Sequence, residues 1–192
     1  MEKKGKILIG VVLAIIVLII AGLFIVGNMD VTLGTDSAQV TLPSDYTIDD
    51  KGVAVFEDIN VMMSPVVGVS ADNEKNVYKT IKANGKDAGY ENITNKTING
   101  FEVFEFAAHP DKLKNVSSDR DYSSDGSYTW TTYSPNFPYE GATSLNVDHY
   151  RVVSFIKGDK VNYLTIFTDN PNASLYTPEI ENIINSVTEI QN

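Results

Sequence analysis

The chain of 192 residues contains no cysteine. That absence excludes disulfides, thiol nucleophiles, cysteine-ligated zinc, iron–sulfur clusters and lipidation at cysteine. A domain built from this chain must be held together by its core alone. Histidine is almost missing as well. His109 and His149 are the two present, and neither belongs to an H-x-x-x-H or H-x-H pair. Zinc sites use three or four ligands, so both read as ordinary surface or edge histidines. Basic residues are short against acidic ones, 15 to 25. Setting aside Glu2, Lys3, Lys4 and Lys6 leaves 12 cationic and 24 acidic side chains, a formal −12. Such a surface repels phosphate backbones and anionic lipid headgroups. Nucleic acid is therefore not an expected partner.

Catalytic signatures are also lacking. There is no G-x-S-x-G elbow, and the 13 glycines are scattered rather than gathered into a phosphate loop. The sequence is accordingly read as that of a protein that is not an enzyme. Paired carboxylates for sugar hydrolysis stay open, because their separation is a property of the fold.

What is present is a globular composition, 43% hydrophobic and 10% aromatic with ten tyrosines. One long apolar run stands out. Residues 7–26 carry no charge, and twenty helical residues rise roughly 30 Å, the thickness of a bilayer core. A cleaved signal has a shorter apolar region of about 7–15 residues and a small-residue exit. The exit here, Gly27-Asn28-Met29-Asp30, lacks an A-x-A pattern. A retained signal-anchor is expected, with a cleaved signal as the alternative. Lys3, Lys4 and Lys6 precede the run and Asp30 follows it, which keeps the N-terminus cytoplasmic by the positive-inside rule. The expected organisation is a cytoplasmic tail (1–6), a transmembrane helix (7–26), a stalk (27–38) and one extracytoplasmic domain (39–192) of a single-pass cell-membrane protein. Asn92, Asn95, Asn115 and Asn172 each stand in an N-x-S/T sequon, the glycosylation acceptor pattern of surface segments outside the cytoplasm.

Within the domain, 39–42 reads as a strand stopped by Pro43, and 53–56, 59–63 and 66–69 as further strands. Asp72 to Asn84 has a narrow apolar stripe (Val77, Tyr78, Ile81), with Asp72 as cap and Gly85 as terminator, so a surface helix is expected. Asn99-Gly100 separates two alternating runs and predicts a tight hairpin. Gly158-Asp159 predicts a second hairpin of the other tight turn type, between 150–156 and 161–167. Those two runs are apolar on both faces, as central strands are. Thr177, Pro178, Glu179 and Glu181 open a final helix with Ile180, Ile183, Ile184 and Val187 on one face. The predicted fold class is α+β: an antiparallel sheet with two packed helices behind the transmembrane segment.

Three stretches carry a family resemblance: Val40-Thr-Leu-Pro43-Ser-Asp-Tyr46, the hairpin from Val152 to Phe167, and the terminal Ile183-Ile-Asn-Ser-Val187. In outline residues 39–192 resemble the PsbP-like group of α/β/α sandwich domains, and the chain is similar to small membrane-anchored proteins of methanogenic archaea. The PsbP-like resemblance implies a non-catalytic accessory or binding module. It transfers no functional residue, and the long mid-domain loop departs from the photosynthetic members.

That loop holds the remaining candidates. Asp121-x-Ser123-x-Asp125-Gly126 matches the first half of an oxygen-ligand calcium loop, then fails at Thr132, where a bidentate Glu belongs. Ca2+ on Asp121, Ser123 and Asp125 is thus the one cofactor the sequence suggests, against a solvated polar loop. Tyr128, Trp130, Tyr133, Phe137 and Tyr139 follow within twelve residues. Such a cluster suits a glycan or a protein surface; a strand packing its alternate rings on the sheet is the other reading. The expected function is a non-catalytic binding or accessory module that contacts an envelope protein or glycan through residues 122–139. An envelope hydrolase using carboxylates and a calcium-dependent ligand or adhesion domain are the alternatives.

Overall fold

The computed structural model describes residues 30–66, 69–112 and 147–190. The chain forms β1 (Val31–Gly34), β2 (Ala38–Leu42), β3 (Thr47–Ile48), β4 (Ala54–Phe56) and β5 (Ile59–Pro65), then helix α1 (Ala71–Ala88). After it come β6 (Tyr90–Ile98), β7 (Phe101–Ala108) and one 3-10 turn (Pro110–Lys112). β8 (His149–Lys157), β9 (Lys160–Thr168), helix α2 (Pro178–Asn185) and β10 (Thr188–Glu189) complete the described chain.

Two expectations are corrected. The α+β architecture of one sheet with two packed helices gives way to a sheet-dominated fold. The strands make two antiparallel sheets, a seven-stranded one in the order β3-β4-β5-β9-β8-β7-β6 and a three-stranded one in the order β1-β2-β10. The second sheet exists because residues 31–34 are not stalk. They pair with β2 from Val31↔Leu42 to Gly34↔Gln39 and bury Leu33 against the core. β10 joins through two residue pairs from the far end of the sequence, a contact that no local pattern encodes. The second correction concerns localisation. Among the described residues no helix is long and apolar enough to cross a membrane, so none of them supplies the transmembrane helix of the expected single-pass anchor. Residues 7–26, on which that expectation rested, lie outside the described residues, as do 1–6.

Both hairpins form where their turn residues place them. Asn99 (φ 49°) and Gly100 (φ 82°) are both left-handed, as the tight β6–β7 turn demands. Gly158 alone is left-handed in the β8–β9 turn (φ 58°). The N-terminus of α1 is set by Ser70, whose Oγ accepts the Asn73 N–H at 3.3 Å. Gly85 does not stop the helix. A side chain there would come within 2.9 Å of Ile93 Cδ1, so its absence lets α1 lie close on β6, and the helix ends instead at left-handed Gly89.

The central strands β8 and β9 separate two apolar clusters. Tyr150, Val152, Ile156, Val161 and Phe167 pack under α1 with Phe104 and Phe106 of β7. Val153, Phe155, Leu164 and Ile166 pack on the opposite face against Ile180, Ile183 and Ile184 of α2 and against Val40 and Leu42 of the small sheet. The molecule is thus layered: α1, the large sheet, then the small sheet beside α2. Thr177 caps α2 by accepting the Ile180 N–H, with Pro178 in the first turn.

Candidate functional site: the open end of the β7–β8 ladder

β7 and β8 pair with Ala107↔Arg151 and Ala108↔Tyr150. One further step along that register sets His109 opposite His149. Alternation puts both on the α2 face of the sheet, in line with Glu105, Ala107 and Arg151. The two imidazole rings lie 5.1 Å apart, tilted by 36°. Asp148 precedes β8 and is fixed by its backbone N–H, which donates to the Thr168 carbonyl at 2.8 Å. Its Oδ2 is 2.8 Å from His149 Nδ1 and 3.5 Å from His109 Nδ1. On its other side, His149 Nε2 is 3.0 Å from the Ala173 carbonyl oxygen. All three side chains are partly open to solvent.

These histidines face a cleft of about 190 Å³. One wall is Glu91 and Asn92 of β6, the floor is Ala107 and Ala108, and the far wall is the segment from Ala173 to Tyr176. The Asn92 backbone is left-handed (φ 50°), and the β6–β7 register slips between Glu91 and Thr94. This bulge turns the edge strand beside the cleft.

The far wall is anchored by a buried ion cluster. Arg151, 2% exposed, donates Nη1 to the Leu175 carbonyl at 3.0 Å and to Glu181 Oε1 at 2.6 Å. Its Nη2 donates to Glu105 Oε2 at 2.5 Å. Lys96 of β6 completes the cluster, with Nζ 2.6 Å from Glu105 Oε1 and 3.6 Å from Glu181 Oε2. The guanidinium also lies under the Tyr176 ring, 4.5 Å from its centroid. Partial burial pushes the Glu181 carboxyl up, but the Arg151 hydrogen bond and the charges of Arg151 and Lys96 outweigh this and hold it below the usual carboxylate range.

Of the sequence-predicted sites, Asn92, Asn95 and Asn172 are exposed, the first two on edge strand β6. Asn115, the calcium-type residues Asp121, Ser123 and Asp125, and the aromatics Tyr128, Trp130, Tyr133, Phe137 and Tyr139 lie outside the described residues. The histidines are where sequence reasoning fell short. They stand forty positions apart and share no motif, and only the β7–β8 register joins them. The Ser154-x-x-Lys157 spacing of serine–lysine nucleophiles also occurs, but its members are committed elsewhere. Ser154 Oγ donates to Glu74 at 2.6 Å under α1, while Lys157 pairs with Glu189. No family model matches the chain, and no curated protein matches it either.

Proposed function

We propose that this protein is a non-catalytic binding module whose contact surface is the open end of the β7–β8 ladder. The supporting observation is positional. The described chain stops three residues after His109 and resumes two residues before His149, and both histidines line the cleft, so the sequence that carries the five aromatics joins the fold next to it. Binding residues concentrate where a rigid scaffold positions them, and here the scaffold is the paired strands β7 and β8. Tyr176, 43% exposed beside the cleft, adds an aromatic face to the same surface. A glycan or a protein surface rich in apolar and hydroxyl groups is the matching ligand chemistry.

Binding fits this site better than hydrolysis by carboxylates, because the acids behind the cleft are already engaged. Glu105 and Glu181 are both held by Arg151 and Lys96. The test is a glycan array and a crosslinked affinity capture, each run with the natural chain and with Trp130→Ala/Tyr133→Ala. A ligand retained by the natural chain and lost by a normally folded double variant supports the reading. A ligand held equally by both, or a double variant that fails to fold because those rings are core, overturns it.

A further inference from the structure

The Ala173 carbonyl can only accept, so the His149 Nε2 facing it at 3.0 Å carries a proton. In neutral imidazole the other nitrogen, Nδ1, then holds a lone pair. That lone pair is aimed at Asp148 Oδ2, 2.8 Å away, and His109 Nδ1 approaches the same oxygen at 3.5 Å. Lone pairs this close repel each other unless a proton or a metal ion lies between them, and a metal ion can satisfy all three donors at once.

We propose that His109, Asp148 and His149 bind a divalent transition-metal ion of the zinc class. The ligands are two imidazole nitrogens and one carboxylate oxygen, with a fourth position open to the cleft. Four observations carry this. The donor atoms already lie within 4.8 Å of one another; ligands of a tetrahedral zinc sit about 3.3 Å apart, a distance reached by small side-chain rotations. The donor set of two imidazoles and a carboxylate suits zinc, copper or nickel, whereas calcium and magnesium take oxygen ligands. The His149 bond to the Ala173 carbonyl is the outer contact that metal-bound histidines make, fixing tautomer and ring orientation. Finally, His149 and Asp148 sit on held backbone, His149 paired to Thr168 in β8–β9 and Asp148 bonded to Thr168, and both histidines line the cleft.

The site does not depend on the aromatic segment binding anything, so it goes beyond the proposed function. It is tested by thermal unfolding of the full chain, free of any histidine tag, with and without Zn2+, alongside His109→Ala and Asp148→Asn. At free Zn2+ about 100 times the dissociation constant, the natural chain should gain roughly 5–10 °C. His109→Ala, with metal-free unfolding close to that of the natural chain, should lose the gain and bind Zn2+ at least tenfold more weakly by calorimetry. Co2+ should show the visible bands of a tetrahedral site in the natural chain and not in Asp148→Asn. No response of the natural chain to Zn2+, an equal response of both variants, or a response to Ca2+ but not Zn2+ overturns the proposal. Each result is independent of Trp130 and Tyr133, so failure here is distinct from failure of the binding reading.

Discussion

Arg151 and Glu105 meet at 2.5 Å on one face of neighbouring strands, both almost wholly buried. The pair is the keystone of the cleft wall, since the same guanidinium holds the Leu175 carbonyl, Glu181 and the face of Tyr176. A buried charge left without its partner is strongly destabilising, even where the intact pair contributes little net stability. Arg151→Met should therefore cost about 3–5 kcal/mol in urea unfolding. Arg151→Lys should recover only part, because an ammonium lacks the planar fork that reaches several acceptors at once. A loss below about 1 kcal/mol for Arg151→Met would show that the cluster is solvated rather than buried.

Asn99 ties the β6–β7 turn to the end of α2. From the β6–β7 turn its Nδ2 donates to the carbonyls of Asn185 and Val187, at 3.0 and 2.9 Å, just where α2 runs out. Helix C-termini leave carbonyls that need donors. Asn also tolerates the left-handed backbone found there (φ 49°). Asn99→Ala should lose about 1–2 kcal/mol by chemical denaturation. Asn99→Gly relieves the backbone but not the lost bonds, and should fall between the two.

Glu74 gives a pH dependence of defined sign. It stands in the first turn of α1, 3% exposed on the side facing the sheet, and accepts hydrogen bonds from Ser154 Oγ and the Tyr163 hydroxyl, both at 2.6 Å. Burial pushes its carboxyl above the ordinary range, outweighing the opposing effect of those two bonds. A folded value above the unfolded one means that the folded state binds the extra proton. The stability contributed by Glu74 is fully present below the unfolded value and is lost as pH rises through the folded value. Glu74→Gln removes the charge and keeps the shape. It should be more stable than the natural chain at about pH 8, with the difference shrinking as pH falls to about 4. Urea midpoints across that range that run parallel would refute this.

Glu181 runs the opposite way. Its folded value is depressed, chiefly by Arg151 once the cost of partial burial is overcome. Its contribution is present above the unfolded value and is lost as pH falls through the folded one. Glu181→Gln should therefore flatten the acid limb of the stability profile and leave the limb above neutrality unchanged. Because Glu181 is about one-third exposed, the effect should also weaken in high salt.

Tyr176 is a cleft residue with much of its side chain open to solvent. Its ring covers Arg151 but is 43% exposed. Tyr176→Ala should cost no more than about 1 kcal/mol of stability. It should weaken glycan or protein binding measurably if the cleft is part of the contact surface, as titration calorimetry with the captured ligand would show.

Much of this protein follows from local residues. Asn99-Gly100 and Gly158-Asp159 demand tight turns because few other pairs accept left-handed backbone, and both hairpins stand there. Thr177-Pro178 and the isoleucine stripe fix α2, and the two-faced apolar runs of β8 and β9 belong at a sheet centre. The tertiary structure decided the rest, and the reason is separation along the chain. Val31–Gly34 becomes a strand only when β2 is alongside, and β10 only when α2 returns the chain to Gln39. Gly85 has the chemistry of a helix stop, but close packing on Ile93 uses its missing side chain instead. Arg151, Glu105, Glu181 and Lys96 are unremarkable charges in the sequence and one buried cluster in the fold. His109 and His149 share no motif, and only the β7–β8 register, continued one step past Ala108 and Tyr150, brings two imidazoles and the Asp148 carboxylate within 4.8 Å of one another.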